Sequence, residues 1–220
     1  MAAVAPRRGR LATFDDASRS AAYRDQFGRW AELWYARLAR RIARRAPHAD
    51  SVLDLGTGPG QLLPHLVRRY GRAPVVGLDR SAAMLALARR AAPPPSVRLV
   101  RADFAALPFH DRAFGLVTGT AVLHHADALG ALLGEVRRVL KPGGRFVAFA
   151  FRRDPCTALR WLARRHSAAA RRARGGLEGL AAVIEASWTA AELDAAVAAA
   201  GFRAGRVRAG LLELELVAVA

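Results

Sequence analysis

Three glycines alternate within a short turn that directly follows an apolar run, and a turn of this kind can hold a ligand. The apolar run is Val52–Leu55, and residues 56–60 read Gly-Thr-Gly-Pro-Gly. Glycine has no Cβ and tolerates positive φ, so the backbone of the turn can approach a bound molecule closely. A helix predicted to start near Gln61 directs its N-terminal N–H groups back toward the turn. The stretch therefore predicts a strand, a ligand-binding turn and a helix in succession.

A second acidic residue makes the expected ligand more specific. Asp79 follows Asp54 by 25 positions (79 − 54) and ends another apolar run. In a strand–helix–strand unit, an acidic residue at the end of the second strand is placed to accept hydrogen bonds from both hydroxyls of a ribose. We therefore expect the chain to bind a cofactor that contains a nucleoside.

Alternating strands and helices must position these residues. The predicted strands are 51–55, 74–79, 97–101, 113–118 and 144–151, and the predicted helices are 60–69, 81–91 and 127–140. This alternation indicates a parallel sheet with right-handed crossovers, which binds its ligands beyond the carboxyl ends of the strands. Asp54, Asp79, Asp103 and Gly119 fall at predicted strand ends. We therefore expect them to lie along one edge of the sheet.

Four motifs in this order and spacing resemble those of the class I S-adenosylmethionine (SAM) methyltransferases. The Gly-x-Gly-x-Gly turn resembles the first motif, whereas the dinucleotide fingerprint places its third glycine one residue later. The other motifs are residues 76–85, residues 102–109, and residues 114–125 together with 140–146. The similarity runs from about Phe14 to Phe202 and is closest to the branch that includes the ubiquinone/menaquinone C-methyltransferases.

The resemblance implies a fold and a domain organisation. The fold is α/β, with a Rossmann-like, doubly wound and mostly parallel seven-stranded sheet that ends in a C-terminal antiparallel hairpin, here residues 202–207 and 211–219. We expect residues 1–48 to form a helical cap of the same domain, and residues 49–220 to form the SAM-binding part. In this family, segments such as 1–48 and an insertion at 152–188 cover the active site and select the substrate.

The resemblance also implies the roles of the site residues. SAM is the expected cofactor, with Asp54 near its ammonium group, Asp79 on the ribose hydroxyls and Asp103 on the adenine amino group. The other expected cofactor-binding residues are Gly56, Thr57, Gly58, Gly60, Arg80, Met84, Phe104, Gly119 and Thr120. A single aspartate after a strand is most simply explained as a helix cap or a turn residue. Three of them after consecutive predicted strands favour a ligand site.

A histidine pair follows the fourth predicted strand. His124 or His125 could act as a general base, because an unperturbed histidine titrates near neutral pH. The alternative is that one histidine lines the pocket while the other packs under the next helix. The histidines show no spacing with cysteines or carboxylates that is typical of a metal site, so no metal is expected.

Composition limits the class of protein. A chain of 220 residues with 53% hydrophobic residues fits one folded domain. We find no signal-peptide pattern and no apolar run long enough to span a membrane, and the single cysteine, Cys156, excludes an internal disulfide. A cytoplasmic protein is therefore expected. The net charge is +17, but only one of the 35 basic residues is lysine, which is the bias of a GC-rich genome, so nucleic acid is not the expected partner. This bias does not explain why Asp and Glu number only 18, and the remaining positive charge could favour an anionic substrate, an anionic membrane or RNA.

The leading functional prediction is a methyltransferase that transfers the methyl group of SAM to an O, N or C atom of a small molecule. One alternative is a membrane-surface enzyme that methylates a lipid or a prenylated quinone at the inner membrane face. It depends on Trp30, Trp34, Leu38 and Ile42, which share one face of an arginine-rich helix. The preferred interpretation of this stripe is that it docks on the domain.

The remaining alternatives are an RNA methyltransferase that uses the arginine-rich segment 152–174, and a non-catalytic SAM-binding partner subunit. The oligomeric state has no signal in the sequence.

Overall fold

The computed structural model describes residues 20–21, 24, 30–91, 97–173 and 180–220. Its helices within these ranges are α1 (Trp30–Arg45), α2 (Leu63–Tyr70), α3 (Ala82–Ala91), α4 (Leu129–Val139), α5 (Thr157–Ala173), α6 (Leu180–Ala186) and α7 (Ala190–Ala199), with a 3-10 turn at Leu123–His125. The strands are β1 (Val52–Leu55), β2 (Val75–Asp79), β3 (Val97–Arg101), β4 (Phe114–Thr120), β5 (Leu140–Phe151), β6 (Ala204–Ala209) and β7 (Glu213–Val219).

The strands form one seven-stranded sheet in the order β3-β2-β1-β4-β5-β7-β6. The first five strands pair in parallel, whereas β7 is antiparallel to both β5 and β6. The chain order changes direction at β1, because β2 and β3 extend the sheet on one side of it and β4 on the other. The predicted doubly wound sheet with a C-terminal antiparallel hairpin is therefore confirmed.

Apolar side chains cover both faces of the sheet, which is why β1 is buried along its whole length. On one face, Leu38 of α1 and Leu66 of α2 pack with sheet residues such as Phe149. On the other face, Val136 of α4 and Val197 of α7 join a second cluster. Burial of such side chains contributes roughly 1.5–3 kcal/mol each, so the two faces fix the position of β1 and of the turn that follows it.

Helix α1 docks on the sheet through its apolar stripe, as the preferred interpretation predicted. Leu38 and Ile42 are 2% and 0% exposed. The guanidinium of Arg41 lies 4.3 Å from the ring centroid of Phe149 and forms an ion pair of 2.6 Å with Glu213. Trp34 is 39% exposed, so the stripe leaves the sheet at its N-terminal end. The side chain of Trp30 lies outside the described residues.

Several element boundaries differ from the sequence-based expectation; for example, helix α2 begins at Leu63 rather than near Gln61. Strand β4 continues to Thr120, so Gly119 lies inside the strand rather than after it. The arginine-rich segment 152–174 becomes helical only at Thr157, where α5 begins, because the backbone N–H of Arg152 donates to the Leu212 carbonyl at 2.9 Å. Pro155 also disfavours helical conformation in the residue before it.

Candidate functional site

The carboxyl ends of the parallel strands meet at one edge of the sheet, and the predicted acidic residues gather there. Leu55 pairs with Leu78 on one side and with Gly119 on the other, so β1, β2 and β4 end level with one another. Asp54 is the third residue of β1, and Asp79 is the last residue of β2. Asp103 lies two residues beyond the end of β3. The predicted edge arrangement is confirmed.

The three glycines of the turn all have positive φ, but their surroundings differ. A Cβ on Gly56 would lie 2.5 Å from Val122 Cγ2, and one on Gly60 would lie 2.8 Å from the Cβ of Ala88. These two glycines therefore permit close packing inside the protein. A Cβ on Gly58 would meet no atom closer than the Gly56 carbonyl at 4.0 Å. The side of the turn at Gly58 is thus open to a ligand.

Asp54 is held in the core under this turn. It is 2% exposed, and its Oδ2 accepts a hydrogen bond of 2.7 Å from the Thr57 hydroxyl. Burial raises the pKa of Asp54 to about 7, the Thr57 hydrogen bond opposes this shift, and the nearby Asp79 adds to it. A carboxyl group in this state ionises readily when a cation is placed beside it.

Asp79 connects the glycine turn to the start of α3. Its Oδ2 accepts from the Gly58 backbone N–H at 2.9 Å, and its Oδ1 accepts from the Ser81 backbone N–H at 2.8 Å. Burial raises the pKa of Asp79, while these backbone hydrogen bonds oppose the shift. Each carboxylate oxygen has a second lone pair, so both oxygens keep the capacity to accept from a diol.

The residues expected beside the adenine are less enclosed. Asp103 and Arg80 are 45% and 36% exposed, and their closest charged atoms lie 4.0 Å apart. The Oδ1 of Asp103 accepts from the Ala105 backbone N–H at 2.9 Å, which is the turn-forming role of an aspartate. Phe104 is half-buried and packs against the core, and Met84 is buried in α3.

Polar atoms near the end of β4 and after the glycine turn lack partners among the described residues. The Thr120 hydroxyl and the Oε1 of Gln61 are both buried without a hydrogen bond in this part of the chain. Buried polar groups of this kind are rare and cost about 1–3 kcal/mol each, so they are expected to be satisfied by a bound molecule or water. Ala121 follows with φ at +52°, a strained conformation for a residue with a Cβ.

The histidine pair lies on the 3-10 turn after β4. His124 is 4% exposed and His125 is half-buried. Their ring centroids are 4.3 Å apart, with an interplanar angle of 40°. The two rings therefore pack together, with His125 as the more accessible of the two.

Three further residues shape this edge and were not predicted as site residues. Val122 fills the space above Gly56 and Gly119. A Cβ added to Gly56 would lie 2.5 Å from a Val122 methyl carbon, and one added to Gly119 would lie 2.9 Å from the other. Trp188 donates from its indole N–H to the Leu123 carbonyl at 3.0 Å and so connects the segment before α7 to the histidine turn. Gln61 could have been noticed as a polar residue directly after the glycine turn. The contacts of Val122 and Trp188 depend on distant parts of the chain and leave no local pattern.

No cluster of three or more His, Cys, Asp or Glu side chains within the described ranges could hold a metal ion. The polar groups at this edge are instead carboxylates, which accept hydrogen bonds, and backbone N–H groups, which donate them, around an open glycine turn. These groups fit a nucleoside with a cationic amino acid part.

Residues 53–148 match the protein family described as a methyltransferase domain. A demethylmenaquinone methyltransferase of Thermus thermophilus is 41% identical over 124 residues, which are 56% of this chain and 56% of that protein. A malonyl-[acyl-carrier protein] O-methyltransferase of Halorhodospira halophila is 40% identical over 116 residues, or 52% of this chain and 39% of that protein. The chain thus spans about half the length of these curated relatives or less.

A solved structure of a SAM-dependent methyltransferase from Aquifex aeolicus has a TM-score of 0.69, with 93% of this chain and 98% of that chain covered. The two are 19% identical, so this likeness shows the fold. Residues 53–148 are therefore similar to methyltransferase domains, and the chain has the fold of a SAM-dependent methyltransferase. The similarity to the demethylmenaquinone methyltransferase supports the predicted resemblance to the ubiquinone/menaquinone branch.

Proposed function

We propose that the protein transfers the methyl group of SAM to a small-molecule acceptor and releases S-adenosylhomocysteine. The observation that supports this proposal is the meeting of Asp54, Asp79 and the open side of Gly58 at one sheet edge. A methyltransferase domain at residues 53–148 is consistent with it. The acceptor atom, whether O, N or C, is left open by these groups.

Each carboxylate at the edge suits one part of the cofactor. Asp79 would accept from the ribose hydroxyls with the lone pairs that Gly58 and Ser81 leave available. Asp54 would ionise beside the ammonium group, which removes the cost of burying an isolated charge. Asp103, already ordered by its bond to the Ala105 N–H, would accept from the adenine amino group. Arg80 and Phe104 would flank the ring.

The protein has little covalent chemistry to perform. The methyl group of SAM is bonded to a sulfonium sulfur, which would leave as the neutral thioether of S-adenosylhomocysteine when the acceptor takes the methyl group. The chain must align the acceptor with that methyl group and exclude water, as in other reactions that depend on orientation. Residues near the end of β4 would form this part of the site, with Thr120 as a hydrogen-bonding group. His125 is the better candidate for a base because it is more accessible than His124.

The test combines binding and turnover. SAM would be titrated calorimetrically into the wild-type protein, and methyl-labelled SAM would then be incubated with a cell extract separated into small-molecule, lipid and RNA fractions. Label in the small-molecule fraction supports the proposal. Label in RNA or lipid would assign a different acceptor class. SAM binding without transfer into any fraction would favour a non-catalytic partner subunit, and absence of SAM binding would overturn the cofactor assignment.

A further inference from the structure

Helix α5 carries two large apolar side chains on the protein surface. Trp161 and Leu162 are 58% and 57% exposed, although they are neighbours in a helix that packs against α6. The guanidinium of Arg165 lies 4.8 Å from the ring centroid of Trp161. We call these three residues the α5 face.

The α5 face is opposite to the side by which the helix docks. With 3.6 residues per turn, Trp161, Leu162 and Arg165 project to one side of α5. The buried residues Ala163 and Ser167 are one turn apart on the other side. The Ser167 hydroxyl accepts from the Ala181 backbone N–H of α6 at 2.9 Å, which fixes this orientation. The exposure of the α5 face is therefore a property of the fold rather than of a loosely attached helix.

A further exposed apolar residue lies at the end of the sheet from which the chain continues into α5. Leu211, at the tip of the β6–β7 hairpin, is 80% exposed. The side chain of Arg152 donates to the Gly210 carbonyl at 2.8 Å, and this bond holds the hairpin tip beside the segment that leads into α5. This is also the end at which β4 and β5 finish, and therefore the end that carries the candidate site.

The charge of α5 has one sign. Its sequence contains five arginines and no aspartate or glutamate. Arg164, on the flank of the helix, is 65% exposed and forms a long ion pair of 3.8 Å with Glu185 of α6. A helix that exposes Trp and Leu between arginines has the character of an interfacial helix, whose apolar side chains enter the headgroup region while its cations contact anionic lipids.

We propose that the α5 face docks the protein on the surface of an anionic lipid bilayer. Trp161 and Leu162 insert at headgroup depth, and Arg164 and Arg165 lie against the lipid phosphates. Because α5 follows closely after the carboxyl end of β5, this docking places that edge of the sheet near the membrane. Within the described ranges, no helix is long and apolar enough to cross a bilayer, so the contact is peripheral.

Two other occupants fit the α5 face less well. A second copy of this chain would bring two arginine-rich helices together, each on a protein with a net charge of +17. An RNA strand would gain from stacked aromatic rings, and the α5 face has one ring beside an aliphatic side chain. Leu162 gains nothing from a nucleic acid base but gains from the acyl boundary.

The experiment is vesicle sedimentation with the full chain. Binding would be compared on vesicles of phosphatidylglycerol mixed with phosphatidylcholine and on vesicles of phosphatidylcholine alone. The test variant is Trp161→Ser/Leu162→Ser, and the matched control is Leu33→Ser/Trp34→Ser. The control removes another exposed Leu–Trp pair from an arginine-bearing helix, since Leu33 and Trp34 are 48% and 39% exposed on α1. Circular dichroism and SAM titration of each variant verify the fold independently of the membrane.

We expect the wild type to bind the anionic vesicles and the test variant to lose about tenfold or more in partition coefficient, while the control variant keeps its binding. Binding should weaken as salt is added, because the arginine contribution is screened. Failure of the wild type to bind anionic vesicles overturns the proposal. So does retained binding by the test variant, or loss in the control variant alone, which would place the contact on α1. SAM binding is measured separately, so either result leaves the proposed function to its own test.

Discussion

The backbone nitrogen of Gly58 lies 2.9 Å from Oδ2 of Asp79, and this hydrogen bond joins the glycine turn to the end of β2. The other oxygen of Asp79 is bonded to the Ser81 N–H, at the start of α3. Asp79 therefore orders three segments around the open side of the turn before any ligand binds. Its removal should affect both SAM binding and the stability of the fold.

We expect Asp79→Ala to weaken SAM binding by about a hundredfold or more, because the ribose loses its acceptor and the turn loses its anchor. The same change should lower the free energy of unfolding by about 1–3 kcal/mol, since two partly buried N–H groups lose their acceptor. Asp79→Asn keeps one acceptor oxygen, so its SAM affinity and its stability should lie between those of the wild type and of Asp79→Ala. Calorimetric titration and urea unfolding measure the two effects, and unchanged SAM affinity in Asp79→Ala would contradict the ribose role.

The buried carboxyl of Asp54 predicts a pH dependence of SAM binding. Its pKa is raised to about 7 by burial, so much of it is neutral in the free protein at neutral pH. The proposed ammonium contact favours the carboxylate, so binding should release a proton and the affinity should increase as pH rises from about 5 to about 7. Asp54→Asn should bind more weakly and lose this dependence. Titrations in two buffers of different ionisation enthalpy would count the proton, and zero release by the wild type would contradict the assignment.

The same group predicts a change of stability with pH in the absence of SAM. Its folded pKa of about 7 lies above the ordinary value of 3.8, so the folded state holds the proton more tightly than the unfolded state. This contribution is complete below about pH 4 and is lost as pH rises through about 7. The free energy of unfolding of the wild type should therefore fall relative to Asp54→Asn over this window, by a few kcal/mol at most. The free energy of unfolding of both proteins would be measured by denaturant unfolding across this pH range. The same pH dependence in both would refute this prediction.

Alanine substitutions should separate packing from ligand access in the glycine turn. Gly60→Ala should destabilise the fold most, by roughly 2–4 kcal/mol, because it adds a contact of 2.8 Å with Ala88 to the strain of positive φ. Gly58→Ala should cost about 1–2 kcal/mol from strain alone, and it should weaken SAM binding because its methyl group enters the open side.

Gly71→Ala is the matched control for these two variants. Gly71 also has positive φ, at +61°, but nothing lies within 4 Å of its Cβ position. We expect Gly71→Ala to lower stability through backbone strain and to leave SAM affinity unchanged. Thermal unfolding and calorimetry measure both quantities, and equal SAM affinity for Gly58→Ala and Gly71→Ala would show that the turn does not face the cofactor.

Much of this architecture is readable from the sequence because it depends on local patterns. The apolar run before Gly56 predicts β1, and the acidic residue after the next run predicts the end of β2. The capping box at Thr189 and Glu192 is present, with the Glu192 N–H donating to the Thr189 hydroxyl at 3.2 Å. Periodicity also identifies Leu38 and Ile42 as the docking side of α1.

Other features depend on contacts between distant residues. Strand β5 begins at Leu140, four residues before its predicted start, because Leu140 pairs with Phe114 of β4. Gly143 and Gly144 in this added part pair with Ala220 through backbone hydrogen bonds of 2.9 and 3.0 Å. The register of β5 on β4 shifts in the same region. The indole of Trp188 reaches the Leu123 carbonyl across 65 residues. No local periodicity encodes such pairings, so they emerge only from the folded chain.

The two histidines of the pair differ in exposure, so their substitutions should have different effects. His124 is 4% exposed and its ring centroid lies 4.3 Å from that of His125, so His124→Gln should act mainly on stability, because it removes a buried ring. His125→Gln should act on the reaction instead. If His125 removes a proton from the acceptor, the rate should fall and the acidic limb of the pH–rate profile should disappear, with SAM affinity retained. Single-turnover rates across a pH series on the acceptor found by the labelling experiment would measure this. An acidic limb that persists in His125→Gln but is lost in His124→Gln would assign the base to the buried histidine, and a limb present in both variants would show that neither histidine is the base.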